Sequence, residues 1–279
     1  MIAVLTALIT PPADSEHTGS VSNSEEDLSR TPPAKVRREL RREVGFGCPV
    51  ANCGNPYLEY HHFDPPWAQE HHHDPARMIA LCATHHAQAA AWTVAHLRSM
   101  KTVPNDRPEV HGRFEWMRED ILAVVGGNFF YETPNILVFR GKPMIWFNRD
   151  EERRLLLNLR MLTTSGLPRT RLVDNDWIIR GQPIEVDSPP NGRHLRVRYD
   201  NGDDLSIEFH EWADSAALES EYPRALALGH ALRFPLVTAG VTLDVGGTDY
   251  QFGPTTTHLR GVQITGSIAA YCANGFAFG

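Results

Sequence analysis

The chain has little cysteine and no long apolar segment. Only four of its 279 residues are cysteines, and they do not form an evenly spread disulfide framework, because Cys48, Cys53 and Cys82 lie among histidines and Cys272 stands alone. We therefore expect a reducing, cytoplasmic environment in which thiols are kept for metal binding. No stretch approaches the roughly 20 apolar residues of a membrane-spanning helix, so no membrane partner is expected.

The chain also lacks an excess of basic residues. It has 27 Lys and Arg against 34 Asp and Glu, which gives a net charge of −7. This balance argues against a strongly basic nucleic-acid-binding coat, but it leaves a local basic patch open. The opening sequence MIAVLTALIT is apolar without a preceding Lys or Arg, and this disfavours a secretory signal.

Shifts in composition divide the chain into four segments. Residues 11–34 are rich in Pro, Ser and acidic residues, and we predict a disordered tail over residues 1–33 because little apolar surface is available to offset the entropy of ordering. Residues 34–103 contain the Cys and His cluster, residues 104–120 form a linker, and residues 121–279 show the alternation of β-strands. The expected fold class is α+β, with a small metal-binding module followed by an all-β domain.

The second half predicts several β-hairpins. In HLRVRYDNGDDLSIEF, apolar and polar residues alternate on both sides of Asn201-Gly202, which is typical of a hairpin. Repeated alternation of this kind predicts a sandwich or a closed roll, with a β-solenoid as the alternative. This domain could select a substrate, form a homo-oligomer or dock a protein partner.

Two pairs of metal-ligating residues indicate a zinc site. Cys48 and Cys53 lie in a Gly- and Pro-rich turn, whereas Cys82 and His85 open a helix predicted over residues 83–100. One pair in a turn and one pair at a helix start is a treble-clef arrangement. Because Zn²⁺ prefers four tetrahedral S or N ligands, Cys3His predicts a closed, structural zinc site.

Three further histidines could form a reactive site. His61 and His62 end a predicted strand, and His86 follows the zinc ligand His85, from which it points about 100° away on a helix. A hairpin packed on the helix would bring His61, His62 and His86 together as two metal ligands and one free imidazole. A base with a pKa of about 6.5 and a divalent cation suit the hydrolysis of a phosphodiester.

The segment CPVANC…LEYHHFDPP…DPARMIALCATHH, within residues 39–91, resembles the HNH endonucleases. Their active site is a β-hairpin and a helix around one metal ion, the ββα-metal fold. The resemblance implies that His61 and His86 bind the catalytic ion, that His62 is the general base, and that His85 replaces a cysteine of the zinc set. It implies a structural Zn²⁺ and a catalytic Mg²⁺ or Mn²⁺, with Zn²⁺ or Ni²⁺ as alternatives. The implied substrate is nucleic acid, with double-stranded DNA favoured.

The chain departs from the family pattern at Arg77, where many members have Asn. Arg77 could contact phosphate, but it cannot accept a hydrogen bond as Asn does. His72, His73 or Asp74 could replace part of the role of Asn, or the histidines at 71–73 could simply be a solvated loop.

A basic run precedes the metal ligands. It is helix-compatible as far as the glycines that follow it, and its cations either contact nucleic-acid phosphates or form a solvated helical face. The run contains Lys35, Arg37, Arg38, Arg41 and Arg42.

Two alternatives to a nuclease remain: a zinc-stabilised module that binds nucleic acid without cleaving it, and an interaction protein whose finger braces the β-rich domain.

Overall fold

The computed structural model describes residues 28–102 and 108–279. The disorder predicted for residues 1–33 falls mainly on residues 1–27, which lie outside the described residues, whereas residues 28–33 form neither helix nor strand. The described chain is mixed α+β, with few helices and several sheets. No described helix combines the length and apolar character needed to span a bilayer.

The N-terminal part combines a β-hairpin with short helices. Its elements are α1 (Ala34–Glu43), β1 (Leu58–His62), a 3-10 turn (Pro75–Arg77), β2 (Met78–Cys82), α2 (Ala83–Ala89) and α3 (Val94–Thr102). Strand β1 pairs antiparallel with β2, so that Leu58 lies opposite Cys82 and His62 lies opposite Met78. Strand β2 is buried along its whole length and shares a small hydrophobic core with Leu40 of α1 and Leu97 of α3.

The prediction of a single helix over residues 83–100 is wrong, because the chain turns between α2 and α3. The backbone N–H groups of Ala91 and Trp92 bond to carbonyls only three residues back. Thr93 then starts α3, since its hydroxyl oxygen accepts a hydrogen bond of 3.2 Å from the backbone N–H of His96. A Thr cap of this kind offers the backbone an alternative to continuing α2.

The rest of the described chain is rich in strands. They are β3 (Val110–Arg113), β4 (Ile121–Val125), β5 (Asn128–Tyr131), β6 (Asn135–Phe139), β7 (Lys142–Arg149), β8 (Leu155–Arg160), β9 (Arg171–Val173), β10 (Asp176–Ile179), β11 (Glu185–Asp187), β12 (His194–Arg198), β13 (Asp204–Trp212), β14 (Leu236–Asp244), β15 (Tyr250–Phe252), β16 (Thr257–Leu259), β17 (Val262–Ile264), β18 (Ile268–Ala270) and β19 (Asn274–Phe278). Helix α4 (Ser215–Glu221) and a 3-10 segment (Pro223–Ala231) lie between β13 and β14.

These strands form two large sheets. The first has seven strands in the order β19-β6-β7-β8-β9-β10-β3, and the second has ten, with the main path β11-β12-β13-β14-β15-β16-β17. Strand β14 also pairs in parallel with β4, which continues through β5 to β18. One hydrophobic core includes Ile145 and Trp177 of the first sheet and Ile207 and Val241 of the second, so the two sheets share their interior. The expectation of a β-rich second half is confirmed.

The hairpin predicted around Asn201-Gly202 is present. Strands β12 and β13 pair antiparallel from His194 opposite Glu208 to Arg198 opposite Asp204. Gly202 lies in the turn with a φ of 87°, a conformation that glycine adopts without steric cost.

Part of the segment predicted as a linker belongs to the first sheet. The linker was expected over residues 104–120, but Val110–Arg113 forms β3 and pairs with β10. Gly112 permits this pairing, because a Cβ at that position would lie 2.1 Å from the indole ring of buried Trp177. The constraint comes from a distant strand, so it leaves no local pattern in the sequence.

The N-terminal part contacts the β-rich part through α1 and the turn that follows it. Arg41 Nη1 lies 2.9 Å from a carboxylate oxygen of Asp187 and donates a 2.6 Å hydrogen bond to the hydroxyl of Tyr60. Phe46 joins the core shared by the two sheets. The Tyr57 hydroxyl accepts a hydrogen bond of 3.0 Å from the backbone N–H of Arg113 in β3.

Candidate metal centre and histidine site

Cys48 and Cys53 are brought together by a tight turn. The N–H of Cys53 bonds to the carbonyl of Val50 at 3.0 Å, and the N–H of Gly54 bonds to the carbonyl of Cys48 at 3.2 Å. Gly54 has a φ of 66°, which glycine tolerates and most side chains do not. Both thiols consequently point to the same side of the turn, toward the junction of β2 and α2.

Cys82 and His85 complete a compact group of four ligands. Nδ1 of His85 lies 3.3 Å from Sγ of Cys48 and 3.3 Å from Sγ of Cys82, and the sulfurs of Cys53 and Cys82 are 3.8 Å apart. All four ligand atoms lie within 4.8 Å of one another. A tetrahedral zinc ion with Zn–S bonds of about 2.3 Å requires sulfur–sulfur edges of roughly 3.8 Å. The four residues can therefore hold a metal ion such as zinc.

The protein environment disfavours an uncompensated thiolate at this position. Burial raises the pKa of the Cys48 thiol to about 12, and the neighbouring thiols of Cys82 and Cys53 add to this effect against the opposing backbone hydrogen bonds. A bound divalent cation supplies the missing positive charge and favours the deprotonated ligands. Within residues 28–102 and 108–279, these four residues are the one group of three or more ligands with such close spacing.

His61 and His86 meet on a different side of α2 from the one that His85 faces. Their ring centroids are 5.2 Å apart, and the rings are nearly perpendicular, at 82°. Burial, followed by the charges of His86 and Arg30, lowers the pKa of His61 to about 4. His61 is therefore neutral near pH 7 and offers a nitrogen lone pair to a metal ion.

Glu59 also belongs to the site formed by His61 and His86, and it was not among the predicted site residues. It precedes His61 by two residues on β1, and residues two apart on a strand share a face. One of its carboxylate oxygens lies 3.0 Å from Nδ1 of His86. The signal in the sequence was the spacing E-x-H in LEYHH, which places a carboxylate and an imidazole side by side.

His62 does not join the pair of His61 and His86, contrary to the expectation that the three would converge. The centroid of its ring lies 4.7 Å from that of Trp67, 5.1 Å from that of His72 and 5.9 Å from that of His73. The physical reason is the pleat of β1, which points successive side chains to opposite faces. The predicted reactive centre is therefore divided between the two faces of the hairpin.

His62 is buried. The side chain is 4% exposed, and its Nε2 is buried without a hydrogen-bond partner among the described residues. Burial, followed by the charges of His72 and His73, lowers the pKa of His62 to about 4, whereas a hydrogen bond with the His72 backbone acts in the opposite direction. The imidazole is neutral at physiological pH and retains a nitrogen that can accept a proton.

The three consecutive histidines do not form a uniformly solvated loop. His72 is buried, its Nε2 lies 3.0 Å from the carbonyl of Pro65, and its Nδ1 accepts a hydrogen bond of 3.3 Å from the N–H of Asp74. Trp67 stacks with His71 on one side, at 4.4 Å, and with His73 on the other, at 5.4 Å. This stack covers the ring of His62.

Arg77 is held by carboxylates of the same loop. Its Nη2 donates a 2.8 Å hydrogen bond to Glu70, and its Nε donates a 3.1 Å hydrogen bond to Asp74. These hydrogen bonds raise the pKa of Arg77 and lower that of Glu70. Arg77 therefore joins two positions of the loop between β1 and β2. This role differs from the phosphate contact expected from the sequence.

The basic run on α1 is only partly available to a ligand. Arg41 is buried and paired with Asp187, so it is removed from the predicted nucleic-acid-binding set. Arg37 is half-buried, and Arg38 lies 3.9 Å from Glu185. Lys35, Arg38 and Arg42 are exposed and face solvent on the outer side of α1.

Comparisons of the chain with known protein families, with curated proteins and with solved structures gave no match.

Proposed function

We propose that the chain is a metal-dependent endonuclease of the HNH type that hydrolyses phosphodiester bonds in double-stranded DNA. The observation that carries the proposal is the contact between His61 and His86. Their ring centroids are 5.2 Å apart where the hairpin packs on α2. Together with the Cys3His group at the base of the same hairpin, this pair supports the resemblance in sequence to the ββα-metal nucleases.

The pair fits a second metal ion. Two imidazoles that bind one tetrahedral ion through nitrogens at about 2.0–2.1 Å have ring centroids roughly 5 Å apart. Glu59 would orient His86, because a metal-binding imidazole commonly donates its other N–H to a carboxylate. Two protein ligands leave coordination positions for phosphate oxygens, and the bound cation would neutralise charge on the scissile phosphate. Imidazole donors suit Zn²⁺ or Ni²⁺ better than Mg²⁺ or Mn²⁺, which prefer oxygen, so all four ions belong in the test.

His62 is the proposed general base, a role that requires its ring to turn from Trp67 toward the ion held by His61 and His86. It is neutral at physiological pH, and its Nε2 is unpartnered, as a proton acceptor requires. Trp67 packs on the His62 ring and Nε2 is buried, so water and substrate reach this nitrogen only after a local rearrangement. The double pairing of Arg77 with Glu70 and Asp74 gives the loop between β1 and β2 a fixed internal shape, which replaces the orienting role of the family Asn.

The Cys3His group is the proposed structural zinc site. Cys82 ends β2 and His85 lies in the first turn of α2, so an ion held by both fixes the angle between the hairpin and the helix. His86 is the next residue along α2, and its distance to His61 depends on that angle. The two metal sites are thus linked through one helical turn.

A non-catalytic nucleic-acid-binding module is the second candidate. One observation favours it: the covered position of His62. Under this alternative, Lys35 and Arg42 contact phosphates, and the histidine pair has no role in bond cleavage.

A plasmid assay separates the two candidates. Zinc-loaded protein is incubated with supercoiled DNA and with single-stranded DNA, in Mg²⁺, Mn²⁺, Zn²⁺ or Ni²⁺ and with a chelator. Metal-dependent nicking that is lost in His62→Ala but kept in His258→Ala, which changes an exposed histidine of β16, supports the nuclease. Salt-sensitive binding without cleavage supports the second candidate, and nicking at an unchanged rate in His62→Ala contradicts the proposed base.

A further inference from the structure

The second sheet carries an open cleft on its outer face, distant in sequence from His61, His62 and His86. The cleft has a volume of about 420 Å³, which lies within the range of pockets that hold small ligands. Its floor is formed by neighbouring residues of β13 and β14, where Ser206 pairs with Thr242 and Glu208 pairs with Gly240. Between them, Ile207 is buried in the core on the opposite face of the sheet.

Gly240 deepens this floor. Its backbone has an ordinary φ, and a Cβ there would meet only the carbonyl oxygen of Glu208, at 3.6 Å. Neither backbone strain nor crowding therefore requires glycine at this place in the middle of β14. A glycine inside a strand weakens the strand and often marks a place where a ligand approaches closely.

The helical cover of the sheet forms one wall of the cleft. Helix α4 and the 3-10 segment after it pack on an apolar cluster that includes Val124, Phe129 and Leu218. At the junction of α4 and the 3-10 segment, Tyr222 lines the cleft, with its ring centroid 5.8 Å from that of Phe129. The polar floor therefore lies beside an aromatic wall.

The charges around the cleft favour a cation. Glu208 reaches it from the floor and Glu221 from the cover, and the one basic lining residue, Arg224, donates a hydrogen bond of 3.1 Å to the carbonyl of Thr265. Burial raises the pKa of Tyr222, and the charges of Glu221 and then Glu208 raise it further, so both carboxylates act on the same phenol. An aromatic ring beside carboxylates is the chemistry that recognises an organic ammonium group.

We propose that this cleft binds a small aliphatic amine. The ammonium group lies between Glu208 and Glu221 against the ring of Tyr222, and the alkyl chain lies over Gly240. The inference is independent of the proposed nuclease activity, since none of its residues belongs to the hairpin or α2.

The test uses the full chain and cadaverine as the probe, with pentanediol of the same chain length as the uncharged control. Isothermal titration at fixed ionic strength should show saturable binding of cadaverine and none of pentanediol. The double change Glu208→Gln with Glu221→Gln should weaken binding by about tenfold or more, as loss of charged contacts predicts. The variant Gly240→Val should weaken it by filling the floor.

Glu219→Gln is the matched control, because Glu219 is an exposed residue of α4 that does not line the cleft. It should leave cadaverine binding unchanged. Equal binding of cadaverine and pentanediol, no saturable binding of cadaverine, or unchanged binding by the double Gln variant would each overturn the proposal. The double variant changes only exposed side chains, so it keeps the test valid even if Gly240→Val fails to fold.

Discussion

His86 faces His61 with ring centroids 5.2 Å apart, while its neighbour His85 places Nδ1 3.3 Å from the sulfur of Cys48. Two adjacent residues of one short helix thus contribute to two different clusters. The rotation between neighbouring residues of a helix explains this division. Both clusters therefore depend on where α2 lies.

Removal of a cysteine from the Cys3His group should unfold the N-terminal part of the chain. Cys48→Ser or Cys82→Ser leaves an incomplete tetrahedron, and a structural zinc ion contributes on the order of 10 kcal/mol or more to the folding of a small domain. Zinc content measured by mass spectrometry should fall from one ion per chain to none, with a loss of helical circular dichroism. Cys272→Ser, at an exposed position, should keep both signals. Normal zinc content in Cys48→Ser would contradict the assignment.

Trp67 should protect His62 from chemical modification. In Trp67→Ala the ring that lies 4.7 Å from His62 is removed, which opens its unpartnered Nε2 to solvent. Carbethoxylation of His62, followed by mass spectrometry, should become roughly tenfold faster, as expected when a buried group no longer depends on local opening. Exposed His258 serves as the internal standard. Equal rates at His62 in the two proteins would show that Trp67 is not the cover.

Glu59 should strengthen metal binding without being needed for the fold. Its carboxylate holds Nδ1 of His86, and loss of an orienting partner typically lowers metal affinity by about 10–100-fold. Titration of Ni²⁺ into zinc-loaded protein should show this loss in Glu59→Gln. Glu39→Gln, on the exposed face of α1, is the matched control and should bind Ni²⁺ as the unmodified chain does. Identical affinities for Glu59→Gln and Glu39→Gln would remove Glu59 from the site.

The buried pair of Arg169 and Asp203 should make the stability of the β-rich part sensitive to acid. Burial alone would raise the pKa of Asp203, but hydrogen bonds from Arg169, Asn201, Thr163 and the Gly246 N–H outweigh it and hold the pKa below its ordinary value. A lowered folded-state pKa stabilises the protein above the unfolded-state value, and this contribution disappears as the pH falls through the folded-state value. The free energy of unfolding should therefore depend less on pH in the acid range in Asp203→Asn than in the unmodified chain. Acid unfolding followed by tryptophan fluorescence measures this difference.

A companion variant tests the pair at neutral pH. Both side chains are almost fully buried, at 3% and 0% exposure, and breaking such a pair costs about 3–5 kcal/mol. Arg169→Ala should lower the free energy of unfolding by that amount in urea. Arg196→Ala breaks the more exposed pair with Asp204 and should cost less than about 1 kcal/mol. Equal costs for the two variants would contradict the importance assigned to the buried pair.

The Cys3His group could be predicted because each of its two pairs is local in the sequence. Cys48 and Cys53 share one turn, and Cys82 and His85 share one helix start, so spacing and turn residues were sufficient to identify them. The hairpin around Asn201-Gly202 was predictable for the same reason, since alternation and turn chemistry act within a few residues.

Other features depend on contacts between distant parts of the chain. The strand at Val110–Arg113 is fixed by its pairing with β10, and the burial of Arg41 is fixed by Asp187. The separation of His62 from His61 follows from the strand pleat, but its new partners follow from the path of residues 64–77, which no periodic pattern describes. Glu59 could have been found from its place two residues before His61.

The most direct measurement for the central claim is the initial rate of plasmid nicking by zinc-loaded protein before and after His61→Ala. Both proteins must first show the same zinc content and the same circular dichroism. Nicking should require an added divalent ion and should fall by at least about a hundredfold in the variant, as expected when a group that acts at the reacting centre is lost. Nicking by His61→Ala at the original rate, with the same metal dependence, would contradict the assignment of His61 and His86 as the catalytic metal site.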